Sequence, residues 1–168
     1  MQHPRTADLE ALLRALLIGG VRFIVVGGAA AVIHGAPITT QDLDIVPDQT
    51  VDNLARLLEV LETLGARFRP WRADRDLAPT ANHLAGTGQL NLTTRLGPLD
   101  VLCRLHDARG YAELVSRSRE IEDADLRLRV IDLDLLIEIK AATGRAKDQL
   151  VVPILRALRD EPAVADED

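Results

Sequence analysis

Three aspartates are placed as a phosphoryl-transfer site would need them. Asp42 and Asp44 stand two residues apart in Asp42-Leu43-Asp44-Ile45, and Asp100 is the one charge in the apolar run Leu99-Asp100-Val101-Leu102. On an extended strand, alternation puts Asp42 and Asp44 on one face, about 7 Å apart, and turns Leu43 and Ile45 toward the core. Paired carboxylates on one edge of a sheet suit Mg²⁺ or Mn²⁺, which take oxygen ligands and share them with phosphates. A third carboxylate on a neighbouring strand completes a set for two ions about 4 Å apart, which activate an attacking hydroxyl and stabilise a leaving pyrophosphate. Each signal has a plainer reading when taken alone. Asp-x-Asp also suits a solvated strand face, and Asp100 also suits a strand start beside Gly97-Pro98. An Asp buried without a partner is costly, however, so Asp100 should meet a cation or a hydrogen-bond network.

Upstream, Val25-Val26-Gly27-Gly28 reads as a strand running into a diglycine and then a helix. Glycine lets the backbone approach a ligand closely and adopt positive φ, and a helix N-terminus offers unpaired N–H groups to an anion. That is a place for a triphosphate, although a bare Gly-Gly is also an ordinary strand-to-helix turn. Thr39 and Thr40 precede Asp42 and suit a cap or a phosphate contact. The chain has only two lysines, Lys140 and Lys147, among 20 basic residues. They suit phosphate binding or, equally, helix ends where cations meet the macrodipole.

The elements that must position these groups follow from periodicity and breakers. Ala7 to Ile18 repeats leucines at helical spacing and stops at Gly19-Gly20. Arg22 to Val26 and Leu43 to Val46 are short strands, with a helix over Ala29 to His34 between them. Asp48 to Thr50 caps a helix from about Val51 to Leu64, and Ala66 to Pro70 forms a short strand. Trp71 to Gly88 is polar and reads as a loop. Gln89 to Thr94 and Leu99 to Leu105 form a hairpin through a turn at Leu96-Gly97-Pro98. Tyr111 to Ser118 is a short helix and Leu126 to Ile131 a half-exposed strand, with Arg127 and Arg129 on its solvated face. Leu133 to Thr143 and Arg145 to Leu158 are helices split by Gly144. The expected fold is α/β (α+β), a mixed sheet flanked by helices with a C-terminal helical pair. One domain spans residues 1–159, its C-terminal helices lying at 132–159, and residues 160–168 form an acidic tail expected to be flexible.

Composition narrows the function. The chain has 168 residues and a formal net charge of −6. The tail from Asp160 to Asp168 holds five acids and no base, so the body is close to neutral. Nothing there announces nucleic-acid binding, and aromatics at 2% leave few rings for base stacking. The single Cys103 excludes an internal disulfide and a Cys-based zinc site and suits a reducing cytosol. The polar N-terminal segment lacks signal-peptide character, and no apolar run approaches the ~20 residues of a membrane helix. A cytoplasmic protein without membrane contact is expected.

The combination is more specific than its parts. Gly27-Gly28, then 13 residues, then Asp42-Leu43-Asp44-Ile45, then a lone Asp on a later strand, resembles the signature of the DNA polymerase β-like nucleotidyltransferase superfamily. Within it, Phe23 to Gly35 followed by Thr39-Thr40-Gln41-Asp42-Leu43-Asp44 is similar to AbiEii-type and related minimal nucleotidyltransferases. A second segment agrees, Leu136-Ile137-Glu138-Ile139-Lys140 followed by Gly144-Arg145-Ala146-Lys147-Asp148. Two features depart from the pattern: Gly28 stands where the signature has Ser, and the chain is short beside the longer AbiEii toxins. The resemblance implies metal-dependent transfer of a nucleoside monophosphate from an NTP such as ATP. The acceptor would be an RNA 3′ end, for example of tRNA, or a hydroxyl of a partner protein, in a toxin–antitoxin or defence system. It implies that Gly27 and Gly28 touch the phosphates and that Asp42 and Asp44 bind metal. Asp100 would be a third ligand or the base for the attacking hydroxyl. Lys140 would meet the triphosphate, with Arg145, Lys147 and Asp148 lining the same cleft. The competing reading is a non-catalytic NTP-binding or partner-binding module of the same fold. Dinucleotide binding is disfavoured, since Gly27-Gly28-Ala29-Ala30-Ala31 lacks G-x-G-x-x-G.

Overall fold

A computed structural model describes residues 3–161. Its frame is a seven-stranded mixed sheet built from β1 (Phe23–Val26), β2 (Leu43–Pro47), β3 (Arg67–Phe68), β4 (Gln89–Thr94), β5 (Gly97–Leu102), β6 (Ser118–Asp123) and β7 (Leu126–Ile131). The strand order is β3-β4-β5-β2-β1-β7-β6. The mixed α/β architecture agrees with expectation. The helices are α1 (Leu9–Ile18), α2 (Gly27–Ile33), α3 (Val51–Thr63), α4 (Ala81–Leu84), α5 (Tyr111–Leu114), α6 (Leu133–Ala142) and α7 (Ala146–Asp160).

The sequence explains which strands are central. β1 reads Phe-Ile-Val-Val and is buried along its whole length, as a strand covered on both faces must be. In β2, Leu43 and Ile45 are fully buried while Asp44 is half-buried, so the alternation partly exposes one face at the start of this central strand. Leucines from α1 and α3, including Leu12, Leu16, Leu57 and Leu61, are fully buried in the core. With four aromatic residues in the chain, aliphatic packing fills the interior. Asn53 is a buried polar exception. Its side chain accepts from the Arg22 amide at 2.7 Å and donates to the carbonyls of Arg22 and Asp48, tying α3 to the ends of β1 and β2. Among the described residues no helix is long and apolar enough to cross a membrane.

Several expected boundaries are corrected. The β4–β5 turn is Arg95-Leu96, not Leu96 to Pro98, because Gly97 (φ +105°) already pairs with Thr94. Pro98 is tolerated in β5 because pairing with β2 begins only at Leu99, so its missing N–H interrupts no bond there. Residues 118–123, expected in part as helix, form the edge strand β6. Its charged side chains Glu120 and Glu122 face Arg129 and Arg127 across β7, so the strand is held by cross-strand pairs rather than by apolar alternation. The stretch expected as loop contains α4, capped by the Thr80 hydroxyl on the His83 amide. The helix expected from Arg145 to Leu158 runs on to Asp160, inside the segment assigned to the tail, and residues 162–168 lie outside the described residues.

Candidate active site

Sheet register brings the three aspartates together. β2 pairs with β5 in parallel, and Asp44 lies directly opposite Asp100. Asp42 immediately precedes β2 and points the same way as Asp44. One carboxylate oxygen from each of Asp42, Asp44 and Asp100 lies within 4.8 Å of the others. Asp100 is buried, and Asp42 and Asp44 are half-buried.

Like charges this close, out of water, resist ionisation. Burial pushes the Asp44 carboxyl up to about 7, helped by the charges of Asp100 and Asp42 and opposed by Lys140. Burial also raises Asp100, against the pull of Arg69 and with the repulsion of Asp42. Arg69 follows β3 and spans the gap: its guanidinium donates to Asp100 Oδ1 at 2.5 Å and to the Leu92 carbonyl at 2.9 Å. The cation or network that Asp100 was expected to meet is therefore Arg69. Nothing in the local sequence singled out Arg69 from the other arginines. Three converging carboxylates with one raised to about 7 form a donor set suited to a divalent cation, which would supply the positive charge they lack.

Glycines shape the wall beside them. Gly27 (φ +63°) abuts Asp44 so closely that a Cβ would collide with the Asp44 carboxylate. A Cβ at Gly28 would stand 2.7 Å from Thr40 Oγ1, so the Thr40 side chain fills the space beside that glycine. The Thr40 hydroxyl itself donates to the Asp42 carbonyl at 3.1 Å, bracing the turn that presents Asp42.

Two clefts open from the aspartates. The first, of about 550 Å³, has Gly27, Asp44, Gln89, Arg104, Lys140 and Arg145 on its walls. Lys140 donates to Asp148 Oδ1 at 3.2 Å, and the Thr143 hydroxyl donates to Asp148 Oδ2 at 2.6 Å. Burial opposes the charge on Asp148, but these hydrogen bonds and the Lys140 charge hold its carboxyl below the usual range. Asp148 also lines this cleft, whereas Lys147 is exposed and is not among the residues on its walls. The second cleft, of about 1100 Å³, has Arg5, Gln41, Asp42, Arg69 and Trp71 on its walls. Sequence reasoning did not find Arg104, Arg69, Arg5 or Trp71, which come from loops and from the N-terminal segment.

Away from the clefts, His34 places Nε2 2.7 Å from the Ile131 carbonyl oxygen, a packing role, and Cys103 is buried in the core.

No protein-family model and no curated protein sequence matches the chain. Solved structures do. The lincosamide antibiotic adenylyltransferase LnuA, solved with lincomycin bound, aligns over 92% of this chain and 99% of its own, at 13% identity and a TM-score of 0.63. A candidate nucleotidyltransferase from Thermotoga maritima aligns over 91% of each chain, at 16% identity and a TM-score of 0.53. The antibiotic-resistance factor ANT(2'')-Ia aligns over 90% of this chain and 86% of its own, at 14% identity and a TM-score of 0.54. The chain thus has the fold of nucleotidyltransferases, matched over nearly its whole length.

Proposed function

We propose that this protein is a metal-dependent nucleotidyltransferase that moves a nucleoside monophosphate from an NTP to a hydroxyl acceptor. One observation carries the reading: the oxygens of Asp42, Asp44 and Asp100 converge within 4.8 Å between two clefts, on a nucleotidyltransferase fold.

Asp42 and Asp44 are the ligands for Mg²⁺ or Mn²⁺, with Asp100 as the third. When bound, such ions neutralise phosphate charge and lower the pKa of a coordinated hydroxyl. Gly27 leaves room for the Asp44 carboxylate on the wall of the first cleft, and Lys140 and Arg145 put positive charge on that wall. The acceptor approaches from the second cleft. Its hydroxyl oxygen attacks the α-phosphorus, the bond to the bridging oxygen breaks, and pyrophosphate leaves. Asp100, opposite Asp44, takes the hydroxyl proton. Asp148 fixes Lys140 in place, Thr40 and Gly28 shape the turn before Asp42, and Lys147 lies at the margin.

The motif likeness to AbiEii-type proteins supports an RNA 3′ end or a protein hydroxyl as acceptor, within a toxin–antitoxin or defence setting. The names of LnuA and ANT(2'')-Ia support an antibiotic-like small molecule as a further candidate. A non-catalytic NTP-binding module is the alternative, and the intact set of three carboxylates argues against it. The test incubates the protein with each α-³²P-labelled NTP and Mg²⁺, and with total RNA, candidate partner protein or lincomycin in separate arms. Label should move to one acceptor. Transfer that survives Asp42→Ala and Asp44→Ala together would overturn the mechanism.

A further inference from the structure

Arg69 has two positions at once. It is a wall of the second cleft, and its guanidinium is bonded to Oδ1 of Asp100. The Asp100 side chain is only 9% exposed, and that of Arg69 27%, so water screens the pair weakly. The Leu92 carbonyl fixes the guanidinium from the other side. Among the described residues Arg69 is the one cation ion-paired with any of the three aspartates, since Lys140 is paired with Asp148. A charge-assisted hydrogen bond of this kind is among the stronger polar contacts in a protein. A divalent ion approaching Asp100 must displace this guanidinium, breaking its hydrogen bond, or share the carboxylate with it, against the repulsion of the two cations.

We propose that Arg69 is a positioning residue that serves as the resident counter-ion of Asp100, so that the resting site takes a divalent ion at Asp42 and Asp44 and withholds Asp100 from metal until Arg69 turns away into the second cleft. The inference rests on the reading of these aspartates as metal ligands. It makes metal loading at Asp100 depend on what enters the second cleft, because Arg69 belongs to both.

The test is Mn²⁺ binding to the NTP-free protein, counted by electron paramagnetic resonance of the free ion. In Arg69→Gln, which keeps a donor for the Leu92 carbonyl but no charge, Mn²⁺ should bind about tenfold tighter or with one more ion per chain. Arg69→Lys should behave as the unaltered protein does. Asp100→Asn in the otherwise unaltered protein should leave the number of Mn²⁺ ions bound per chain at saturation unchanged, since Asp100 is already engaged by Arg69. Unchanged binding in Arg69→Gln overturns the inference, as does a Lys variant that behaves like the Gln variant. A bound ion lost in Asp100→Asn overturns it too, and this arm stands if the Arg69 variants misfold. Asp42→Asn with Asp44→Asn separates the two ideas: Mn²⁺ binding that survives this pair sinks the metal-site reading itself, whatever the Arg69 variants do.

Discussion

Asp44 and Asp100 face each other across the parallel β2–β5 pair, two carboxylates in one register position, the first half-buried and the second buried. The arrangement stores an electrostatic cost that a bound cation would relieve. Burial, then Asp100, then Asp42 raise the Asp44 carboxyl to about 7, whereas in the unfolded chain it titrates near the ordinary 3.8. A raised acid favours the fold while it stays protonated. As pH climbs from about 4 to about 7, the unfolded chain loses a proton that the folded protein keeps, so the Asp44 contribution to stability declines across that window and is flat above it. Thermal midpoints of EDTA-treated protein between pH 4 and 8 should show this decline, and Asp44→Asn should reduce it. Mg²⁺ should also bind more tightly as pH rises to about 7, because the ion competes with the Asp44 proton. Midpoints that follow the same pH course in both proteins would remove this account.

The diglycine offers a steric prediction. An L-residue at φ +63° costs about 1–2 kcal/mol from the backbone alone. In Gly27→Ala the new Cβ also drives into the Asp44 carboxylate. The variant should fold with a lowered midpoint and should lose at least about tenfold in both Mn²⁺ affinity and transfer, through displacement of Asp44. Gly28→Ser, which restores the residue usual in the signature, should be harmful because its Cβ meets Thr40 Oγ1. Gly28→Ser with Thr40→Ala should recover stability lost in Gly28→Ser. A double-mutant cycle on urea midpoints measures this, and strict additivity would refute the contact as the cause.

The Lys140–Asp148 pair, with side chains 14% and 12% exposed, gives a prediction of a different kind. Removing one partner leaves a nearly buried charge and unmet donors. Asp148→Ala should therefore cost about 3 kcal/mol at neutral pH, and the double change Lys140→Met with Asp148→Leu should cost less than the single one. Asp148 is held below its usual range, so its contribution is present above the unfolded value of 3.8 and fades as pH falls through the lower folded value. The difference between the unaltered protein and Asp148→Ala in urea should shrink below about pH 4. A difference that stays constant to pH 2.5 would mean that packing, not charge, sets the cost.

How much of this the sequence disclosed depends on how local the signal was. Asp42 and Asp44 are legible because strand period fixes their common face, and Asp100 because one acid interrupts an apolar run. Lys140 and Asp148 are legible as members of one segment, eight residues apart, and the fold does close them onto each other. Arg69 is illegible because its partner lies 31 residues away and is reached only through the β3–β4–β5 register. Strand β6 is illegible for another reason: an edge strand needs no apolar alternation, and its pairing signal is a match of Glu120 and Glu122 to arginines that pattern reading assigned to solvent. The second cleft needs the N-terminal segment to meet the loop after β3, a tertiary event with no local signature.

That second cleft carries its own reporter. Trp71 is the only tryptophan, is 37% exposed, and donates through Nε1 to Asp76 at 3.1 Å, with the His3 ring against it edge to face at 5.5 Å. It lines the second cleft and not the first, so the two halves of the reaction should be optically distinct. A non-hydrolysable NTP with Mg²⁺ should leave its emission nearly unchanged, because the first cleft holds Lys140 and Arg145 but no indole. An acceptor entering beside Asp42 and Arg69 should shift or quench it, and the shift should saturate at the concentration that half-saturates transfer. Trp71→Phe should abolish the signal while leaving metal binding intact, since Trp71 has no hydrogen bond to any of the three aspartates. Emission that responds fully to the NTP and not to the acceptor would reverse the assignment of the two clefts.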